Sequence, residues 1–242
     1  MAEWFSKCKA TFIFNFIEGS RWKYITNGLL VTLEVTFFAL CIGIVIGVLV
    51  AMIRSSYDQT KDELQPGLGS TVMKILNGIA KVYITVIRGT PVVVQLLIGY
   101  FVIFVSSTDT VFVASLVFGI NSGAYITEII RGGIMSIDPG QFEAGRSLGF
   151  NYVQTMRWII IPQAFKTVLP SLANEFIALL KETAVCGYIG LMDLTKGGDV
   201  IRGRTFSAFM PLLAVALIYL ALVLFFSWLI SKLERRLRSS ER

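Results

Sequence analysis

The sequence has no histidine, only three cysteines, and charged residues at 16 % of its 242 positions. Cys8, Cys41 and Cys186 lie far apart, so neither a disulfide framework nor a zinc site is supported. The chain also lacks the glycine-lysine loop that binds nucleotide phosphates, the G-x-S-x-G nucleophile motif and the H-E-x-x-H zinc motif. We therefore expect neither intrinsic catalysis nor a cofactor bound by this chain, and an intramembrane enzyme is disfavoured.

Apolar residues, by contrast, make up 55 % of the sequence. A chain of this length cannot bury so much apolar surface in one small soluble core, which predicts an all-α, polytopic membrane helical bundle. The net charge of +6 would suggest a nucleic-acid partner in a soluble protein. Here the cations lie mainly in the gaps between apolar runs and in the tail, so they indicate membrane orientation, and no nucleic acid is expected.

Five stretches are predicted to span the bilayer, whose hydrocarbon core needs about 20 residues of helix. They are residues 28–53, 72–105, 111–137, 155–185 and 208–231. The second is expected to break near 88–91, and the fourth to kink at Pro170. Residues 55–69 are predicted to be a polar loop, and residues 187–204 an outer loop rich in glycine.

The distribution of basic residues predicts the topology. Most cations fall on one side of the membrane if residues 1–25 are extracytoplasmic and the basic tail, residues 233–242, is cytoplasmic. Six cations do not fit this arrangement; they are Lys7, Lys9, Arg21, Lys23, Arg202 and Arg204. We predict a multi-pass protein with its N-terminus outside and its C-terminus in the cytoplasm.

The second span is interrupted by the run Arg88-Gly89-Thr90-Pro91. Thr90 suits an N-cap and Pro91 the first position of a new apolar helix. A helix broken at membrane depth is tolerated where it borders protein or a water-filled path. Arg88, Thr90 and Gln95 are therefore candidates for a translocation pathway. The alternative is a plain kink with an interfacial arginine.

The third span carries four residues on one helical face, at spacings of four, three and four; they are Asn121, Tyr125, Glu128 and Gly132. Polar groups at this depth should face the interior of the bundle. Two interpretations are open, namely a translocation pathway and a buried pair of Glu128 with Arg131 or Arg88 that only holds helices together. Asn174 and Glu175 in the fourth span join the pathway candidates, because a helix facing lipid would not tolerate them.

Residues 136–170 form an amphipathic passage among segments that belong in lipid. Asp138 suits an N-cap and Pro139 the first helical position, which predicts a short helix over residues 139–148. Gly149 suits the left-handed stop at its end.

A second helix should follow at once. Asn151 with Gln154 forms a capping box, which places the start of this helix at Tyr152. We therefore predict a cytoplasmic loop over residues 138–154 that contains a helix, a glycine turn and the start of a second helix.

Residues of this passage resemble the EAA signature of permease subunits of binding-protein-dependent ABC importers; the matching residues are Glu143, Ala144, Gly145, Gly149, Ile159 and Pro162. Further motifs, over about residues 20–232, resemble the polar amino acid permeases of the histidine/glutamine type; they are Gly28-Leu29, Thr32-Leu33, Arg88 to Pro91, Gln95, Ala124-Tyr125, Glu128, Arg131 to Ile134, Gly140-Gln141, Ser147 to Gly149, Pro162 to Ala164 and Leu180 to Thr183. The chain departs from the family at Gly145, Ile161 and Ala184, where alanine, leucine and usually serine occur.

The resemblance implies a type I ABC importer permease (MetI-like) fold with five transmembrane helices and a permease domain over residues 26–232. It also implies that the helix over 139–148 is a coupling helix in a groove of a cytoplasmic ATPase, with Phe142 and Leu148 as apolar anchors. The residues to which coupling is assigned are Pro139, Gln141, Phe142, Glu143, Ala144, Gly145, Arg146, Leu148 and Gly149.

The implied function is translocation of a polar or charged L-amino acid across a bacterial inner or plasma membrane, with ATP hydrolysis in a separate subunit. The implied partners are an ABC ATPase dimer that binds ATP and Mg, a second permease of the same or similar sequence, and an extracytoplasmic binding protein that delivers its amino acid near residues 187–204. Membrane lipid surrounds the spans. The alternative is a scaffold or signalling subunit that recruits a partner through the same cytoplasmic helix without moving solute.

Overall fold

The computed structural model describes residues 1–61 and 67–239, the last three and residues 2 and 5 by their backbone alone. These residues form helices and no strand. The α-helices are α1 (Ala2–Phe12), α2 (Trp22–Thr60), α3 (Leu68–Gly89), α4 (Val92–Ile98), α5 (Thr110–Met135), α6 (Gly140–Ser147), α7 (Tyr152–Thr155), α8 (Ile161–Glu182), α9 (Leu194–Thr205) and α10 (Phe209–Ser239). Short π-helical segments follow α1, α4 and α7, at Ile13–Ile17, Gly99–Ile103 and Met156–Ile160. Two 3₁₀ segments, Glu18–Ser20 and Thr183–Ile189, complete the helical structure.

Four helices in the described part of the chain are long and apolar enough to cross a membrane, namely α2, α3, α5 and α10. Helix α8 has 22 residues and the length to span, but its polar side chains keep it below that apolar standard. Pro162 follows directly after the π-helical segment Met156–Ile160, and Pro170 lies inside α8. The count of five spans, with α8 as the fourth, stays a prediction.

The helix interrupted at Arg88 to Pro91 divides where the sequence predicts. Helix α3 ends at Gly89 and α4 begins at Val92. Between them Thr90 is extended, with φ −120° and ψ 146°, and its hydroxyl donates to the Val86 carbonyl oxygen at 2.9 Å.

The predicted polar loop over residues 55–69 is wrong at its start, because α2 continues to Thr60. Arg54 and Asp58 lie one helical turn apart with 4.0 Å between their charged groups, and the Thr60 hydroxyl donates to the Ser56 carbonyl oxygen. Pairs of this kind, one turn apart, support a helix, so a polar sequence does not end it. Residues 62–66 of this prediction, and residues 240–242 of the predicted tail, lie outside the described residues.

The predicted outer loop over residues 187–204 is also wrong, because most of it is helix α9. Asp193 caps this helix, accepting hydrogen bonds from the backbone N–H groups of Thr195 and Lys196 at 2.9 and 3.2 Å. Two glycines are tolerated in mid-helix because other helices approach there. A Cβ on Gly197 would collide with the Tyr24 carbonyl oxygen, and one on Gly198 would lie 2.5 Å from Val215.

The chain forms two compact units. The first comprises Met1–Ala39, Val92–Phe118 and Ile177–Trp228. Its apolar centre consists of Phe16, Ile25, Leu194, Ile201 and Val215. Thr32, fully buried, accepts a hydrogen bond from the Leu194 N–H at 3.0 Å, and thereby joins α2 to the start of α9.

The second unit comprises Leu40–Pro91, Gly119–Phe176 and Leu229–Arg242. The glycine pair in α2 permits close approach of α5, since a Cβ on Gly43 would lie 3.1 Å from Ser122 and one on Gly47 would collide with Ile126. The Tyr83 hydroxyl of α3 donates to the Ile120 carbonyl oxygen of α5 at 2.6 Å. Helices α2, α3 and α5 are thus in direct contact in this unit.

Candidate functional site

The helix of the cytoplasmic passage, α6, is fixed at its start by Asp138. The Gly140 N–H donates to Asp138 Oδ1 at 2.8 Å, and the Gln141 N–H donates to the Asp138 carbonyl oxygen at 2.9 Å. The N-cap position is occupied by Pro139 rather than by the predicted Asp138, whose carboxylate accepts the N–H of the first helical residue. The helix itself runs over Gly140–Ser147, one residue shorter at each end than the predicted 139–148.

Gly149 ends α6 in the way the sequence predicts. Its φ is +79°, in the left-handed region that favours glycine. The Gly149 N–H donates to the Arg146 carbonyl oxygen at 2.9 Å, and the Phe150 N–H to that of Gly145 at 3.0 Å. These two bonds form a Schellman motif, which satisfies carbonyl groups that the helix end would leave unpaired.

The second helix begins with the predicted capping box. The Gln154 N–H donates to Asn151 Oδ1, and the Asn151 N–H donates to Gln154 Oε1, both at 2.9 Å. Only one turn after the stop of α6, a new helix is thus fixed by its own reciprocal bonds. The passage is a rigid helix-turn-helix.

Helix α6 turns two residues inward. Phe142 is half-buried and packs against the apolar cluster of Ile134, Ile160 and Ala164. Gly145 is buried. Of the two apolar anchors predicted for docking, Phe142 therefore holds α6 to its own unit, and Leu148, which is 71 % exposed, is the one available to a partner.

The outward face of α6 carries mixed charge. Glu143, Ala144 and Arg146 are exposed, as is the end of the helix at Leu148 and Gly149. Gln141 is half-buried, and its side-chain oxygen accepts a hydrogen bond from Gln163 Nε2 at 3.3 Å. This face offers both signs of charge beside an apolar side chain.

A cavity of about 600 Å³ borders α6. Its lining includes Gln59, Ile134, Phe142 and Tyr152. Burial raises the pKa of the Tyr152 hydroxyl above the ordinary tyrosine value, so this group stays protonated at neutral pH. Helix α6 therefore packs on its unit along part of its length and borders unfilled space beside that contact.

Gly145 explains one departure from the family signature. A Cβ at this position would lie 2.7 Å from both Cγ2 and Oγ1 of Thr155, in α7. Thr155 is 2 % exposed, and its hydroxyl has no hydrogen-bond partner among the described residues. The glycine thus permits α6 and α7 to meet closely on either side of the turn.

On the predicted polar face, the structure brings Arg88 and Tyr125 together. The Arg88 guanidinium carbon lies 5.1 Å from the centre of the Tyr125 ring, a cation–π distance. One turn earlier on α5, the Ser122 hydroxyl donates to Glu175 at 2.8 Å. An arginine and a glutamate side chain therefore lie along one polar face of the second unit.

Glu128 belongs to a different group. It forms a bidentate ion pair with Arg131, with the shorter oxygen–nitrogen distance at 2.8 Å. Arg131 lies 3.8 Å from Asp58, and Arg54 lies 4.0 Å from the same carboxylate. Of the two interpretations of Glu128, the ion pair with Arg131 is the contact formed. We name the four charges Arg54, Asp58, Glu128 and Arg131 the ion-pair network.

The remaining pathway candidates differ in burial. Asn121 is buried in α5, at 3 % exposure, whereas Thr90 and Asn174 are exposed. Gln95, in the first unit, is half-buried. Their place in a pathway stays a prediction.

Sequence reasoning missed Ser122 and Asp58. Ser122 precedes Tyr125 by three residues and so shares the polar face, which is a signal that helical spacing contains. Asp58 gives no such signal, because the sequence predicts a polar loop at this position. The partner of Arg131 on α2 follows only from the extension of that helix to Thr60.

Comparisons with known proteins identify the family. The family described as binding-protein-dependent transport system inner membrane component matches residues 67–239. The putative glutamine transport system permease protein GlnP of Rickettsia bellii (strain RML369-C) is 36 % identical over 217 residues, 88 % of this chain and 93 % of that protein. The arginine transport system permease protein ArtQ of Bacillus subtilis (strain 168) is 34 % identical over 221 residues, 90 % of this chain and 94 % of that protein.

A solved structure described as an amino acid ABC transporter with histidines is similar in fold, with a TM-score of 0.79. It is 40 % identical, and the match covers 91 % of this chain and 98 % of that one. The predicted fold class is thereby confirmed, and the family's role is transport across the membrane rather than catalysis. The chain belongs to the family of inner membrane components of binding-protein-dependent transport systems.

Proposed function

We propose that this chain is the permease subunit of an ABC importer for a polar or charged L-amino acid, delivered by a binding protein and driven by ATP hydrolysis in a separate subunit. The observation that carries the proposal is the pair of opposite charges on the polar face, Arg88 against Tyr125 and Glu175 bonded to Ser122. A free amino acid carries one carboxylate and one ammonium group at neutral pH, so it needs both signs of charge along its path. Two relatives of this chain, named as glutamine and arginine transport permeases, support the same substrate class.

Each charged residue has a chemical role in this proposal. Stacking on Tyr125 orients the Arg88 guanidinium, whose planar N–H groups suit the substrate carboxylate. Glu175 suits the ammonium group. Glu128 is paired with Arg131 on the same helix, and Arg131 approaches Asp58 of α2, so we assign Glu128 to the ion-pair network rather than to the substrate. The uncharged hydrogen-bonding groups of the proposed pathway are Thr90, Gln95, Asn121 and Asn174.

Helix α6 is proposed as the point where the ATPase subunit acts. Its Schellman stop and the capping box after it make it a stiff element, and stiffness is needed to pass on a displacement. Leu148 suits an apolar pocket of the partner, and Glu143 and Arg146 suit charged groups at its rim. ATP and Mg bind in the ATPase dimer, and its closure moves α6 together with α5 and α8, between which it is connected.

The other proposed partners follow from the family. A second permease, of the same or a similar sequence, forms the pore with this chain. The binding protein delivers its amino acid near α9 and the 3₁₀ segment before it, on the side that also carries the N-terminus. The C-terminal tail then lies in the cytoplasm.

Uptake by proteoliposomes that contain this chain, its ATPase and its binding protein tests the proposal. Glu175→Gln keeps an oxygen that can accept the Ser122 hydrogen bond, and Arg88→Gln removes the cation. We expect each variant to assemble normally with the ATPase and to lose at least about tenfold of amino acid uptake, since a lost charged contact is worth roughly 1.5–3 kcal/mol. Lys81→Gln, an exposed cation on α3, is the matched control and should transport normally.

Three outcomes contradict the proposal in different ways. Unchanged uptake in both charge variants would reduce the polar face to packing. Assembly and ATP hydrolysis with no uptake of any amino acid by the unaltered chain would favour a scaffold or signalling subunit. Uptake of a substrate without a carboxylate and an ammonium group would remove the argument for the substrate class.

A further inference from the structure

One cationic and aromatic surface of the first unit is used by neither the polar face nor α6. Its members come from two stretches of the chain, residues 21–23, where α2 begins, and residues 204–206, where α9 ends; they are Arg21, Trp22, Lys23, Arg204 and Phe206, and we name them the rim cluster. Trp22 is 46 % exposed and Phe206 96 % exposed, and Lys23 and Arg204 are also exposed. Arg21, Lys23 and Arg204 are three of the six cations that do not fit the predicted topology, and Trp22 lies between two of them.

The two stretches are held together by buried contacts. Asn15, which is fully buried, accepts a hydrogen bond from the Thr205 hydroxyl at 2.9 Å and donates to Ser207 Oγ at 3.4 Å. A Cβ on Gly197 would collide with the Tyr24 carbonyl oxygen, so α9 lies directly on the backbone that follows Lys23. The rim cluster is therefore a preformed surface and not two independent loops.

The cations of the rim cluster are oriented by aromatic rings rather than by acids. The Arg204 guanidinium stacks on the Tyr24 ring, with 4.9 Å to its centre, and Arg21 stacks on Phe14 at 5.2 Å and donates to the Phe14 carbonyl oxygen. Within residues 1–61 and 67–239, no carboxylate forms an ion pair with Arg21, Lys23 or Arg204. A guanidinium stacked on a ring keeps N–H groups at its edge for an anion.

Neighbouring acids do not neutralise this surface. Asp199, on α9, is held by Lys196 at 3.2 Å and by Arg202 at 2.5 Å. These hydrogen bonds, first from Arg202 and then from Lys196, lower the pKa of Asp199, so its charge is committed to that pair. The rim cluster consequently retains three positive charges.

The rim cluster lies at the start of α2 and shortly before α10, and both helices are apolar enough to span the membrane. Gly28, where the apolar run begins, is five positions after Lys23, a rise of about 7.5 Å at 1.5 Å per residue. In the predicted topology this rise puts the rim cluster in the headgroup layer. A headgroup layer is about 5–8 Å thick on each side of the hydrocarbon core.

Phe206 adds a second, independent indication. Its φ of +54° lies in the left-handed region, which is unfavourable for a residue with a Cβ. The hydrogen bonds of Thr205 to Asn15 and to the Ser207 N–H hold the chain in this conformation, and the ring is almost fully exposed. Trp22 on the same surface is of the type enriched at membrane–water interfaces, and the apolar Phe206 ring is available to acyl chains.

We propose that the rim cluster binds the phosphate of an anionic phospholipid, with Lys23 and Arg204 on the headgroup and Trp22 and Phe206 inserted at the edge of the acyl chains. The charge complementarity and the depth favour lipid over a protein partner, because two apolar spans enter the bilayer at this surface. The site explains cations that the positive-inside rule does not. It stands independently of the amino acid that the permease carries.

The test measures lipid affinity of the assembled permease complex. Phosphatidylglycerol is titrated into the detergent-solubilised complex, and bound lipid is counted by native mass spectrometry, with phosphatidylcholine as the neutral comparison. The variant Lys23→Gln/Arg204→Gln should bind phosphatidylglycerol about 25-fold more weakly, at about fivefold for each cation near the surface. Lys74→Gln/Lys81→Gln removes two exposed cations from α3 and should leave the affinity unchanged.

Further arms separate the sources of an anion. Inorganic phosphate should not displace the lipid, because it offers no acyl chain to Trp22 and Phe206, and displacement would mean a site for soluble anions. Equal phosphatidylglycerol affinity in the rim and control variants overturns the proposal. A second result also overturns it: the Lys23→Gln/Arg204→Gln variant binds phosphatidylglycerol normally but, in phosphatidylcholine nanodiscs, binds the binding protein more weakly. The rim cluster would then be a protein-docking surface. Arg204→Lys should bind more tightly than Arg204→Gln, which excludes a mere folding defect.

Discussion

Substitution of Gly145 by alanine would restore the residue of the family signature, and two physical effects of opposite sign meet at this position. Alanine is favoured over glycine inside a helix by about 1 kcal/mol, because glycine loses more backbone freedom on folding. From sequence alone, Gly145→Ala should therefore stabilise α6. The structure predicts the reverse.

The opposing effect is a collision with α7. The new Cβ would lie 2.7 Å from Cγ2 and Oγ1 of Thr155 and 3.2 Å from its Cβ. Thr155 is buried and β-branched, so it cannot rotate aside without disturbing its neighbours. Forced overpacking of this kind costs about 1–3 kcal/mol, which leaves a net loss of up to about 2 kcal/mol after the helix gain.

A double-mutant cycle measures this contact directly. Thr155→Ala removes the two crowding atoms and the buried hydroxyl that lacks a partner, so it should rescue Gly145→Ala. Thr155→Val keeps the crowding shape and should not rescue it. Thermal unfolding of the purified permease can be followed with a thiol-reactive dye in a background with Cys8→Ser and Cys41→Ser, because the remaining Cys186 is buried in the fold. If Gly145→Ala raises the unfolding temperature by itself, and Thr155 variants do not change that gain, the close contact between α6 and α7 is not real.

Two further predictions concern stability. Arg131→Gln leaves the half-buried Glu128 without its partner, so the free energy of unfolding should fall by about 1–3 kcal/mol, between the values for exposed and buried pairs. The double variant Glu128→Gln/Arg131→Gln should recover part of this loss. If Arg131→Gln unfolds with the same free energy as the unaltered chain, the ion-pair network is only a surface feature. Phe206→Gly should be about 1 kcal/mol more stable than Phe206→Ala when the two variants are unfolded by heat in detergent, because alanine retains the strain of the left-handed conformation. Neither variant removes buried packing, since Phe206 is exposed. Equal melting temperatures for the two variants would show that the turn relaxes.

Local chemistry made the helix ends predictable. Asp138, Gly149 and the pair Asn151 and Gln154 act through bonds to neighbours a few residues away, so the sequence contains everything that defines them. Helix α9 is different. Its glycine-rich sequence reads as a loop, and it becomes a helix because Gly197 and Gly198 admit Tyr24 and Val215, which are far away in the chain.

The candidate pathway could be predicted only in part, for the same reason. Helical spacing placed Tyr125 and Glu128 on one face of α5, and that face does carry polar contacts. It could not tell which acid would be neutralised inside the unit. Glu128 meets Arg131 because both are on α5, three residues apart, whereas Glu175 comes from α8 and meets Ser122.

The most direct test of the account is the coupling of amino acid uptake to ATP hydrolysis through the exposed face of α6. Glu143→Lys reverses one exposed charge on that face. The matched control, Glu18→Lys, reverses an exposed charge on the opposite predicted side of the membrane. In proteoliposomes with the ATPase and binding protein, we predict that Glu143→Lys loses both uptake and the stimulation of ATP hydrolysis by substrate, while Glu18→Lys keeps both. Uptake and stimulated hydrolysis that survive intact in Glu143→Lys, and in a Gly149→Val variant that breaks the left-handed stop, would contradict the assignment of α6 as the coupling helix.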